Sequence, residues 1–192
     1  MRKFLKWFLV IFICIIVLSI CTARNDSKIK NAATTNADTN TEISQVETTP
    51  QVKTWVMSED DDEMSDTKNY WAQLRSENYF NFSFPYEGRT YATLTVRYMK
   101  RYGGNEVYIQ IDRGQIYSRE NQIIARFDDD PSVTYSYTEP TTAQSDMIFI
   151  SRSKDFINRC KKAKSIKIQL PIFNEGNNIY TFKVDSTLVW NH

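Results

Sequence analysis

Beyond Trp55, apolar and polar residues alternate with a period of two through most of the chain. Phe80, Phe82 and Phe84 are separated by Asn81 and Ser83; Ala92, Leu94, Val96 and Tyr98 by Thr93, Thr95 and Arg97; Val107, Ile109 and Ile111 share one side of the next run. A strand sends successive side chains to opposite faces, so each run predicts a strand with one dry face. Gly103, Gly104 and Asn105 lie between two of them and predict a hairpin turn. Further strands are expected at QIIARFD, SVTYSYT, DMIFI, SIKIQLPIF and NIYTFKVD, with breaks at Pro131, Pro140, Gly176 and Asn177. About eight short strands at this spacing predict a mostly β fold, an antiparallel β-sandwich. One segment changes period: Phe156, Ile157, Cys160 and Ala163 recur at helical spacing. They predict a single helix from about Lys154 to Lys164, with Ser153 as N-cap and a solvated basic face.

The pattern divides the chain into three parts: residues 1–23, a linker over 24–54, and the sandwich domain over 55–192. At the N-terminus, Arg2, Lys3 and Lys6 precede an uncharged run from Trp7 to Ile20. Basic then apolar is the order of an export signal. From Phe4 to Ala23 the only charge is Lys6, so the segment is also long enough for a helix across roughly 30 Å of hydrocarbon. Lipidation at Cys21 is a third reading, because Leu18-Ser19-Ile20-Cys21 resembles the recognition box of bacterial lipoproteins. Cleavage after Ala23 is the remaining one. All three place the domain outside the cytoplasm, in the periplasm or at the cell surface, and the unbroken apolar run favours a retained membrane anchor. The linker is rich in Thr, Asn, Ala and Asp and has no aromatic residue from Thr22 to Lys53. It is expected to be a disordered tether, since it lacks the apolar surface needed to offset ordering.

In the domain, WVMSEDDDEMSDTKNYWAQL, LTVRYMKRYGGNEVYIQI, ARFDDDP, FISRSKDFINRCKKAKSIKIQL and YTFKVDSTLVWNH follow one another. As a succession of loose motifs this resembles a small exported family that includes TagO-like accessory proteins of type VI secretion. The resemblance implies an exported β-sandwich without catalytic residues and a role as a secretion accessory.

Composition removes several chemistries. The formal net charge is +1, which supplies no polyanion bias and argues against nucleic acid as a partner. The only histidine is His192, which leaves a Ser/His/Asp or Cys/His triad without a base inside an ordered site. Cys14 and Cys21 lie in the apolar segment, so Cys160 stands alone in the domain and is expected to be a small buried hydrophobe. No metal or other cofactor is expected. Glu59 to Asp66 is acidic but lacks the glycine and the closing glutamate of a calcium loop, and reads as a mobile acidic loop. Arg126 and Asp128, at the end of a strand, and Tyr135 and Tyr137, on one face of the next, are candidates for a binding surface. The expected function is a non-enzymatic, membrane-tethered binding or assembly module of the cell envelope, with an envelope protein or a glycan as partner. The competing expectation is a carbohydrate-directed hydrolase using paired carboxylates such as Asp128 and Glu106.

The fate of the N-terminus is directly measurable. Mass spectrometry of the membrane-extracted protein should find an intact Met1 or Arg2 terminus. An acylated Cys21 would identify a lipoprotein instead, and a soluble chain beginning at Arg24 a cleaved signal.

Overall fold

The computed structural model describes residues 54–117 and 119–192. The anchor, the tether and Cys21 fall outside them. Among the described residues no helix is long and apolar enough to cross a membrane. The strands are β1 (Val56–Asp62), β2 (Thr67–Arg75), β3 (Phe80–Phe82), β4 (Gly88–Thr90), β5 (Ala92–Met99), β6 (Gly104–Ile111), β7 (Gln122–Phe127), β8 (Val133–Thr138), β9 (Met147–Ile150), β10 (Ser165–Ile172) and β11 (Gly176–Lys183). One helix, α1 (Ser153–Cys160), joins β9 to β10.

The fold is mostly β and antiparallel with one helix, as the periodicity requires. Nine strands form one sheet in the order β1-β2-β5-β6-β9-β8-β7-β10-β11, and β3 pairs with β4. Alternation places Leu94 and Val96 of β5, Val107 and Ile109 of β6, and Ile166, Ile168 and Leu170 of β10 on one buried face. An eight-residue helix cannot cover so broad an apolar surface, so the sheet must fold back on itself. Its halves meet at β8 and β9, which share only the pairs Tyr137–Ile150 and Thr138–Phe149. On the far side, the chain leaving β2 closes onto β11. Glu77 N–H donates to Thr181 O at 2.7 Å, Thr181 N–H to Asn78 Oδ1 at 2.7 Å, and Asn78 Nδ2 to Ile179 O at 2.9 Å.

The folded sheet has two ends. At one are the turn between β1 and β2, the short 3-10 turn Lys100–Tyr102, α1, and the C-terminal tail, where Trp190 donates to Asn105 and His192 stacks on Tyr70 at 3.7 Å. At the other are the loops β3–β4, β6–β7 and β10–β11, together with the start of β1. These loops interlock tightly. Gly114, at φ +93°, lies so close to Phe82 that a Cβ there would sit 2.9 Å from its ring, and only glycine suits such a position.

Eleven strands stand among the described residues; those beyond the eight read from the sequence are β1 and β2, which lack a clean apolar alternation, and β4, which is only three residues long. Two expectations are corrected. Only half of the acidic segment is a loop: Glu59 to Asp62 belong to β1, and Glu63 to Asp66 make the turn into β2. Val56 to Asp62 pairs residue by residue with β2, and Glu59 accepts from Lys68 Nζ at 2.6 Å. β1 is one of the two terminal strands of the sheet, and its carboxylates guard an open row of backbone donors and acceptors against other strands. Finally, α1 begins one residue earlier than expected, at Ser153. Arg152, in the left-handed region at φ 56°, precedes it without a side-chain cap, while Ser153 Oγ donates to Ile150 O. The helix also ends at Cys160, not near Lys164. Phe156, Ile157, Cys160 and Ala163 are all buried, as their spacing requires.

The edge assignment predicts that Glu59→Thr, Asp60→Thr and Asp61→Thr together create a chain that self-associates with rising concentration in sedimentation velocity. A monomer at every concentration would show that the charges do not guard the edge.

Candidate functional site

The period-two rule that sends Leu94 and Val96 inward sends Arg97 and Thr95 to the opposite face of β5. Hairpin register then sets Glu106 of β6 directly across from Arg97, and Tyr108 across from Thr95. Arg97 Nε donates to Glu106 Oε2 at 2.8 Å, and its Nη2 lies 2.7 Å from the same oxygen. Aromatic rings surround the guanidinium: Phe149 at 5.0 Å, Tyr108 at 5.4 Å and Tyr102 at 5.6 Å from ring centroid to Cζ. Charge, hydrogen bonds and ring faces together hold this arginine in one place.

The pair floors a groove of about 460 Å³. Tyr102, from the turn after β5, stands at one side and is 57% exposed. Met147 and Phe149 of β9 continue the floor, and residues 138–144 form the opposite wall with Thr138, Glu139, Thr141, Thr142 and Gln144. That wall is pinned at its base, where Gln110 Nε2 donates to Asp146 Oδ2 at 2.9 Å and Ile111 N–H to Asp146 O at 2.9 Å. The Thr95 hydroxyl is buried on this face without a hydrogen-bond partner among the described residues. Its volume lies within the range of small-ligand sites, and its chemistry is mixed: ring faces, hydroxyls, an amide and a fixed ion pair.

The residues singled out in the sequence lie elsewhere. Tyr135 and Tyr137 are buried, so they present no exposed patch. Their face of β8 is the inner one, and Tyr135 serves to seat α1. Its ring meets Phe156 edge-on at 5.1 Å, Arg152 lies over it at 4.5 Å, and its hydroxyl donates to Asp155 Oδ2 at 2.8 Å. Burial, reinforced by that carboxylate, pushes the Tyr135 phenol well above its ordinary value. Asp128 is left-handed at φ 48° and closes a connection: its Oδ1 accepts from Lys164 N–H at 3.0 Å and Ser165 N–H at 2.8 Å. Arg126 donates to the carbonyls of Asp129 and Asp130. Both are turn-forming residues.

The carboxylates Asp128 and Glu106 are not brought together. Asp128 lines a separate groove of about 290 Å³ with Phe127, Asp130, Asp155 and Arg159. β7 and β6 belong to different halves of the folded sheet, and Glu106 lines the Arg97 groove, so the two carboxylates do not face each other across one cleft as the pair of a glycosidase must. Cys160 is fully buried, and burial raises its thiol far above the ordinary range, which makes it a packing residue. Among the described residues no group of three His, Cys, Asp or Glu side chains could hold a metal ion. Sequence reasoning missed the Arg97 groove, although register about the glycine turn was signal enough for the Arg97–Glu106 pair. In comparison with known proteins, no family model, no curated protein and no solved structure matches this chain.

The Tyr135–Asp155 contact carries a pH prediction. The Tyr135 hydroxyl, aided by Arg159, holds the Asp155 carboxyl below its ordinary value. A depressed folded-state value stabilises the fold above the unfolded carboxylate range, and that stabilisation fades as pH falls through the folded value. Asp155→Asn should therefore melt lower than wild type near pH 7, with the gap narrowing below about pH 4 in thermal melts. A gap that widened in acid would contradict the assignment.

Proposed function

We propose that the chain is a non-enzymatic binding module of the cell envelope, tethered to a membrane by its N-terminal segment, which takes a glycan in the groove beside Arg97. The observation that carries this reading is the groove itself: a fixed Arg97–Glu106 pair amid Tyr102, Tyr108 and Phe149, facing a wall of threonines, Glu139 and Gln144. Sugars offer apolar C–H faces and a rim of hydroxyls. Tyr102 supplies a ring for the first, and the arginine, carboxylates and hydroxyls supply partners for the second. Glu106 has its Oε2 engaged by two nitrogens of Arg97, which suits a binding group better than one exchanging protons with substrate. An envelope protein presenting a polar loop is the alternative occupant. The secretion-accessory role suggested by the sequence motifs fits the same arrangement, a displayed module with a single recognition face.

The test is titration of the full chain, held in detergent, with neutral N-acetylated oligosaccharides and with soluble fragments of cell-wall glycan, followed by calorimetry. Binding should weaken about 10-fold in Tyr102→Ala, equivalent to about 1.4 kcal/mol, while Tyr117→Ala, outside the groove, leaves it unchanged. Equal affinity in Tyr102→Ala and wild type, or no binding of any glycan, would remove the glycan reading. New reducing ends accumulating with time would mark a hydrolase instead.

A further inference from the structure

Three loops from distant parts of the sequence meet at the end of the domain away from α1, and each carries an exposed aromatic ring. Phe84, in the β3–β4 loop, is 83% exposed; Tyr117, in the β6–β7 loop, 53%; and Phe173, in the β10–β11 loop, 47%. The loops are held as one body. Ser83 N–H donates to Glu175 Oε1 at 2.7 Å, Phe173 N–H to Gln115 O at 2.9 Å, and Tyr117 N–H to Pro171 O at 2.9 Å. Gln115 Nε2 reaches Tyr86 Oη at 2.6 Å, and Tyr117 meets Phe173 edge-on at 6.4 Å. A firmly held set of rings pointing into water is unusual for a surface whose work is only to be wet.

The chain enters the domain at this same end. Val56 pairs with Gln73, two residues before Arg75, and Arg75 forms a double hydrogen bond to Asp112 at the start of the β6–β7 loop. The aromatic tip and the point of attachment therefore face the same way. The opposite end is occupied by α1 and the C-terminal tail, and its turns place Met64 and Tyr102 in solvent.

We infer that the Phe84–Tyr117–Phe173 tip rests in the interfacial layer of the lipid bilayer to which the chain is tethered. The inference rests on the reading of residues 1–23 as a membrane segment. Aromatic rings favour the headgroup level, where an apolar body and a wet rim are both accommodated. Arg89, Arg113 and Arg119 interleave there with Glu87, Glu120 and Glu175, so no strongly anionic lipid is required. The 31 residues over 24–54 join the membrane segment to the domain and, whatever their conformation, bound its distance from the bilayer at about 110 Å. A module so confined meets the bilayer at an effective concentration in the millimolar range, and three shallow rings then suffice to hold it. Docked this way, β1 and the Arg97 face stand roughly along the membrane normal, leaving the groove open to the side.

The test is hydroxyl-radical footprinting of the full chain, one copy per phosphatidylcholine nanodisc, read residue by residue. Phe84, Tyr117 and Phe173 should be labelled several-fold less than Tyr102 and Met64, against comparable labelling expected from their exposure alone. In Phe84→Asp with Phe173→Asp, which leaves the core intact, Tyr117 should regain labelling. A tip labelled as fully as Tyr102 in disc-bound protein overturns this inference and leaves the membrane segment standing. Protection that appears only with two copies per disc assigns the tip to a second copy and also overturns it. A chain recovered free of the disc overturns both.

Discussion

A sheet with one apolar face and almost nothing to lay against it is the constraint from which the rest follows. Nine strands carry inward rows such as Leu94, Val96, Ile109, Ile168 and Phe182, and the only helix among the described residues is eight residues long. The favourable term is proportional to apolar area removed from water, so the sheet covers itself. Folding back creates an outer face that is free to vary, and two ends that must be stopped. Phe156 and Trp190 stop one, and Phe82 against Gly114 stops the other.

This division of labour explains why the polar chemistry sits where it does. Inside, the hydroxyl of Tyr135 is answered by a carboxylate from the helix. Outside, Arg97 and Glu106 face each other because a hairpin puts them there, and neither is needed to hold the halves together. The candidate groove is thus built on rigid strands but owes little to the core. A sequence could alter its chemistry without unfolding the domain, which is how a scaffold comes to carry a recognition site.

The parts that were legible in the sequence are those in which a single local rule decides the outcome. Leu94, Val96, Val107 and Ile109 could hardly do otherwise than form inward rows, and Phe156, Ile157 and Cys160 announce the helix by their spacing. Period alone groups side chains without saying which group is inside. Tyr135 and Tyr137 share a face, and only the contact with Phe156 reveals that face as the core. The acidic strand β1 was unreadable for a different reason: an edge strand needs one neighbour and few apolar contacts, so its residues describe what it repels. Phe149 joins Arg97 from a strand some fifty residues away, and no local pattern encodes such a meeting.

The position of β1 has a mechanical consequence. The strand begins at Val56 and would transmit any pull applied there along its own axis, away from the end where the C-terminal tail is docked. Load in this direction shears β1 along β2, so that all seven residue pairs from Val56–Gln73 to Asp62–Thr67 share it at once. A strand attached by its other end would be peeled, its pairs failing one after another. A pull applied at Val56 along the strand is therefore resisted as a lap joint resists it, by the whole length of the β1–β2 pairing at once.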